Sequence, residues 1–208
     1  MSPPAIFLSA SIPRADRAER YFKTADPLAI TAATKALVTV TLGRRLLVWG
    51  GHPSITPMIW AAAEDMRIDY GAWVHLFQSK LFQDDFPVEN ARFRNVTYVD
   101  PVGNDEEKSV EAMRLCMLAQ NRFAFTAGAF IGGMEGIEKE FDLFKRHYPN
   151  APALPVASTG GAALLLFQTR SGLPADLATS IDYVGLFHRL LAVSPLEKRL
   201  PGALPAAP

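Results

Sequence analysis

The sequence predicts an α/β fold: a three-layer sandwich with a mainly parallel sheet and helices on both faces. Two observations carry this. Apolar strand patterns and helical patterns alternate along nearly the whole chain, as expected when helices cross between parallel strands. Three Gly-Gly pairs, at 50–51, 132–133 and 160–161, each follow an apolar strand run. In such sheets ligands bind outside the carboxyl ends of the strands, so all three pairs are expected on that one rim.

The elements follow in order. AIFLS, residues 5–9, reads as a short buried strand that Pro13 keeps from extending far. Residues 14–27 are charged and aperiodic, and form a long connection with a basic excess at Arg14, Arg17, Arg20 and Lys23. Residues 28–42 read as a helix stopped by Gly43. Residues 46–49 (LLVW) form the second strand and run into Gly50-Gly51-His52-Pro53. Thr56 is expected to cap the next helix, with Pro57 at its first position. Residues 72–77 and 96–99 give the third and fourth strands, and Pro87 suits the start of a short helix between them. A helix with an acidic first turn spans 105–120. Residues 123–131 form the fifth strand, followed by the most suggestive stretch of the chain, FIGGMEGIEKEFDLF. The sixth strand, 153–157, leads into STGGAALLLF, and Asp176 is expected to cap a last helix running to Leu191. The Pro- and Ala-rich end reads as a mobile tail, which makes 1–192 the domain and 193–208 the tail.

Composition narrows the function classes. Among 208 residues, Lys+Arg and Asp+Glu both number 21, so no bulk charge favours nucleic acid or an anionic membrane. One cysteine, Cys116, excludes an intrachain disulfide framework, and the four histidines lack metal-ligand spacing. Neither a metal nor a cofactor is expected. No apolar run approaches the ~18 residues of a membrane span, and the expected location is cytoplasmic. The P-loop signature is absent.

A glycine turn between a strand and a helix start suits a phosphate or sugar. Glycine lets backbone amides approach the ligand, and the helix N-terminus adds roughly half a positive charge. The candidate ligand-binding residues are therefore Gly132, Gly133, Met134, Glu135 and Gly136. Gly50, Gly51 and His52 join them from the second strand, and Ser158, Thr159, Gly160 and Gly161 from the sixth. Ser9 and Ser11 end the first strand at the same rim. Glu140, one turn into the helix, is a candidate for ribose hydroxyls, or for an oxocarbenium-like centre in a hydrolase. As an exposed helix carboxylate, its replacement by alanine is expected to cost the fold within about ±0.5 kcal/mol.

IFLSASIP near the start, VWGGHPSITPM and FIGGMEGIEKEF resemble SLOG domains over about residues 5–190. These are Rossmann-like domains related to the cytokinin-activating LOG proteins, to DprA and to the N-terminal regions of TRP-melastatin channels. LOG enzymes carry P-G-G-x-G-T-x-x-E. Here Gly132-Gly133-Met134-Glu135-Gly136-Ile137-Glu138-Lys139-Glu140 resembles that run with one inserted residue. Isoleucine replaces both the threonine and the leading proline, and Glu140 falls on the glutamate. The resemblance implies a sensor of a nucleotide or of an NAD- or ADP-ribose-derived signal, in a bacterial conflict or stress system. It also implies an alternative, a LOG-like phosphoribohydrolase with Glu140 as its catalytic residue. A third reading is an interaction module with a vestigial pocket. The expected partners are a nucleotide-type small molecule and further copies of this chain.

Overall fold

The computed structural model describes residues 4–16, 19–119 and 122–200, with the backbone only at Tyr70. Six strands form one sheet in the order β4-β3-β2-β1-β5-β6. They are β1 (Pro4–Ser11), β2 (Leu46–Trp49), β3 (Val74–Ser79), β4 (Asn95–Val99), β5 (Ala124–Gly132) and β6 (Ala153–Val156). Every neighbouring pair is parallel. The expected α/β sandwich is thus observed, as a Rossmann-like fold. Strand order reverses between β1 and β5, which opens the crevice where such sheets take ligands.

Strand alternation builds two cores. Ile6, Leu8, Leu47, Trp49, Ala129 and Ile131 face one side, under α2 (Pro27–Thr41), α3 (Thr56–Asp65) and α9 (Tyr183–Leu190). Phe7, Val48, Phe77 and Phe130 face the other, under α5 (Glu106–Met117) and α6 (Glu135–His147). The second core is aromatic. Phe7 stacks on Phe144 with centroids 5.5 Å apart and meets Phe125 and Phe130 edge-on. A register shift between Ala5 and Ile6 lets Phe125 and Phe130 share a face despite their odd separation, because the extra residue in β5 inverts the alternation.

Local differences from the sequence reading have local causes. The β-branched end of α2 stays helical because Val38, Val40 and Thr41 are buried against the core, and the Thr39 and Thr41 hydroxyls are satisfied by carbonyls four residues back. Asp26 caps this helix by accepting from the Leu28 and Ala29 amides. Thr56 is not a cap but the first residue of α3, and its hydroxyl donates to the His52 carbonyl at 3.3 Å. β3 begins two residues late because residues 70–73 form the short helix α4 (Tyr70–Trp73). The final helix is two: α8 (Asp176–Thr179), then α9, whose cap is Asp182 accepting from the Gly185 amide at 2.9 Å. The charged connection contains the short α1 (Glu19–Phe22), and Arg17 lies outside the described residues.

The stretch read as a mobile tail is bonded where it is described. Glu197 pairs with Arg45 at 2.5 Å, Arg199 donates to the Leu42 carbonyl at 2.6 Å, and the Leu200 amide donates to the Gly43 carbonyl at 2.7 Å. Residues 201–208 lie outside the described residues. No helix among the described residues is long and apolar enough to cross a membrane.

Candidate functional site at the β1–β5 rim

The three Gly-Gly segments lie on one rim, and the end of β1 ties them together. The Gly133 amide donates to the Ser11 carbonyl at 2.8 Å, and the Ile12 amide donates to Ser54 Oγ at 3.4 Å in the turn after Gly50-Gly51. The Gly132 amide donates to Thr159 Oγ1 at 2.8 Å, and the Ala162 amide to the Gly133 carbonyl at 2.9 Å. The segments around 132 and 160 are therefore in direct contact.

Not every glycine is held for a ligand. Gly160 and Gly161 have φ of +72° and +61°. A Cβ on Gly160 would overlap the backbone carbonyl of Thr24, and one on Gly161 would lie 2.7 Å from the Gly133 carbonyl oxygen. The Gly161 amide donates to Thr24 Oγ1 at 3.2 Å. α7 (Gly161–Thr169) thus starts against protein: Gly160 serves the close passage of residues 24–25, and Gly161 the close approach of Gly132 and Gly133. Ser158 turns to Tyr183, its Oγ 3.3 Å from the ring hydroxyl. Gly50 faces Met113 Cε, and the Gly51 carbonyl accepts from Gln78 Nε2 at 3.0 Å. His52 Nδ1 accepts from the Ser54 amide at 3.2 Å, which shapes the turn into α3.

The start of α6 differs. Gly132 and Gly133 take φ of +59° and +75°, turning the chain out of β5 so that the helix begins at the crevice. The space beside Gly133 is filled by Ile137. Met134 is the N-cap residue in extended conformation, with no side-chain cap. Among the described residues, the amides of Met134, Glu135 and Gly136 have no protein acceptor. Three donors and the positive end of a 13-residue helix thus converge at the switch point.

Beneath them lies Glu140. It is not the exposed carboxylate expected from the sequence, because its side chain is only 14% exposed. Ser9 Oγ donates to its Oε2 at 2.5 Å, and Arg114 Nε donates to its Oε1 at 2.9 Å. Arg114, on α5, is equally enclosed at 14%. Its Nη2 lies 2.8 Å from where a Cβ on Gly136 would stand, so Gly136 makes room for the guanidinium. Sequence reasoning missed Arg114. Its one signal is an arginine bordering the Met113–Met117 inner stripe, where apolar residues are expected. Around this group Lys139 bridges Glu107 and Glu135 at 2.7 and 3.1 Å, and Arg20 lies 3.6 Å from Glu138. Lys139 is held above the usual lysine range by Glu107 and then Glu135. Among the described residues no cluster of His, Cys, Asp and Glu has metal-binding geometry.

A family model described as the SLOG cluster3 family matches residues 20–191. The chain belongs to the SLOG cluster3 family. The match takes in α5, β5 and α6, and so covers Arg114, the 132–136 turn and Glu140, while Ser9 and Ser11 precede it. No curated protein matches the sequence. As a SLOG cluster3 member, the chain has the Rossmann-like arrangement in which the β1–β5 crevice is the expected ligand edge.

Proposed function

We propose that this SLOG cluster3 domain binds a nucleotide, or a signal derived from NAD or ADP-ribose, at the β1–β5 rim. The observation that carries the proposal is the uncapped start of α6 at the switch point, with Arg114 enclosed beside Gly136. A phosphate at this position would accept from the Met134, Glu135 and Gly136 amides. Ser11, Gly132 and Gly133 shape the floor, and Glu140 and Ser9 hold Arg114 beneath the turn.

Binding without turnover is the reading preferred. A carboxylate that stabilises a glycosyl centre needs an oxygen turned toward the sugar. Both oxygens of Glu140 are engaged, one by Ser9 and one by Arg114. The alternative, a nucleotide N-glycosidase, keeps one support: Glu140 stands one turn behind the amides.

The test is a thermal-shift screen with AMP, NAD, ADP-ribose and cyclic ADP-ribose isomers, with free base assayed in parallel. A ligand at 100 times its Kd should stabilise the fold by about 2.7 kcal/mol. We expect one class to shift the melting temperature, with no release of base from AMP or NAD. Hydrolysis that disappears in Glu140→Gln would replace the sensor reading with the enzyme.

A further inference from the structure

The two edges of the sheet are unlike. At β6 the edge carries Pro155, which has no amide proton to offer, and α8 packs against it. This is how natural sheets blunt an edge. β4 has no such protection. Its residues are Asn95-Val96-Thr97-Tyr98-Val99, without proline or lysine, and not one of the five is buried. Among the described residues, no backbone–backbone hydrogen bond beyond the β3 ladder involves 95–99. Among the described residues, its outer row of amides and carbonyls therefore has no backbone partner. Apolar side chains are exposed on both faces near it: Tyr98 is 48% exposed and stacks on Phe86 with centroids 5.8 Å apart, while Val102 just beyond β4 and Leu115 on α5 are each 45% exposed.

The strand with its flanks reads Arg94-Asn95-Val96-Thr97-Tyr98-Val99-Asp100. Laid antiparallel against a second copy about Thr97, it complements itself. Arg94 faces Asp100, Asn95 faces Val99, Val96 faces Tyr98, and Thr97 faces Thr97. Opposite charges and a β-branched residue against an aromatic are favourable cross-strand classes. Thr97 adds no hydroxyl bond, because its Oγ1 already accepts from Arg122 Nη2 at 2.8 Å and lies 2.8 Å from His75 Nε2. Moving the two-fold centre to Val96 or Tyr98 loses both Arg94–Asp100 pairs; a centre at Val96 would set Asp100 opposite Arg92, which lies in the short helical turn Val88–Arg92 outside the strand. Both charges are on the outside: the Arg94 side chain is 72% exposed and that of Asp100 is 81% exposed. Their present pairs, with Asp69 at 3.1 Å and Lys80 at 2.6 Å, are surface contacts that a facing strand can share.

We propose that two copies of this chain pair β4 to β4, antiparallel and centred on Thr97, to form one continuous sheet across a two-fold axis. The ligand rims of the two copies then point to opposite edges of that sheet. The proposal is independent of which ligand the rim takes.

Sedimentation equilibrium over a concentration series tests it, on the parent chain, Arg94→Asp, Asp100→Arg and the double variant. Each single change sets like charges opposite each other twice per dimer. We expect a dimeric parent, dimerisation weakened at least about tenfold in each single variant, and recovery in the double. Melting temperatures measured where all forms are monomeric should agree closely, since the sites are exposed. A parent that stays monomeric overturns the proposal. So do single variants that dimerise like the parent, and so does a double variant that stays as weak as the singles.

Discussion

Gly160→Ala is expected to lower the melting temperature by about 10 °C. Gly160 sits at φ +72° and ψ −157°, a region essentially confined to glycine, where another residue costs roughly 1–3 kcal/mol. The added Cβ would overlap the Thr24 carbonyl, which is backbone and cannot turn away as a side chain can. Overpacking of that kind adds typically about 1–3 kcal/mol. A total of about 3–4 kcal/mol at 2–4 °C per kcal/mol, the scale for domains of this size, gives the figure. Gly103→Ala is the internal control. Its φ is +58° but nothing lies within 4 Å of the added carbon, so only the conformational cost of about 1–2 kcal/mol is expected. Scanning calorimetry of the two variants compares a crowded positive-φ glycine with an uncrowded one. If Gly160→Ala melts no lower than Gly103→Ala, the contact between residues 24–25 and the start of α7 has been overstated.

Glu140→Ala is expected to cost roughly 2–3 kcal/mol, and Arg114→Ala a similar amount. Each removes one partner of an enclosed ion pair and strands the other, and a fully buried pair would cost about 3–5 kcal/mol. The 14% exposure of both side chains lowers the figure. Replacing both with leucine should cost much less than the two alanine variants together, because no charge is then left unpaired. Denaturant unfolding of the parent, the two alanine variants and the double alanine variant gives the coupling directly. Additive costs would show that Arg114 and Glu140 are held by other contacts.

The fold was legible because its signals are local and repeated. The runs 46–49 and 123–131 read as strands by their length and bounding glycines, and the stripe Ile137, Phe141, Phe144 fixes the inner face of α6. The site was legible only along the chain. FIGGMEG announces a turn at a strand end, and the parallel sheet places it at the rim with Ser9, Ser11 and the other glycines. What the chain does not announce is what faces each glycine across space. Thr24 crosses over Gly160, and Arg114 lies against Gly136, through contacts spanning more than twenty residues of sequence. Glu140 reads as a surface carboxylate until α5 and the end of β1 are packed on it.

The most direct test of the proposed site acts on one backbone amide. Glu135 is the first residue of α6, where proline fits without disturbing a helix. Met134 before it is already extended, at φ −124° and ψ −160°, outside the helical region that a following proline disfavours. Glu135→Pro therefore deletes one donor of the anion site while the fold stays intact. Losing the acidic side chain would by itself favour an anion, and Glu135→Ala measures that part alone. Titration calorimetry with ADP-ribose, or with whichever nucleotide most raises the melting temperature, compares the three proteins. The predicted result is Glu135→Ala binding at least as tightly as the parent. Glu135→Pro should bind about ten- to a hundredfold more weakly, the cost of about 1.5–3 kcal/mol for a charge-assisted hydrogen bond, at an unchanged melting temperature. Undiminished binding by a well-folded Glu135→Pro would contradict an anion at the start of α6.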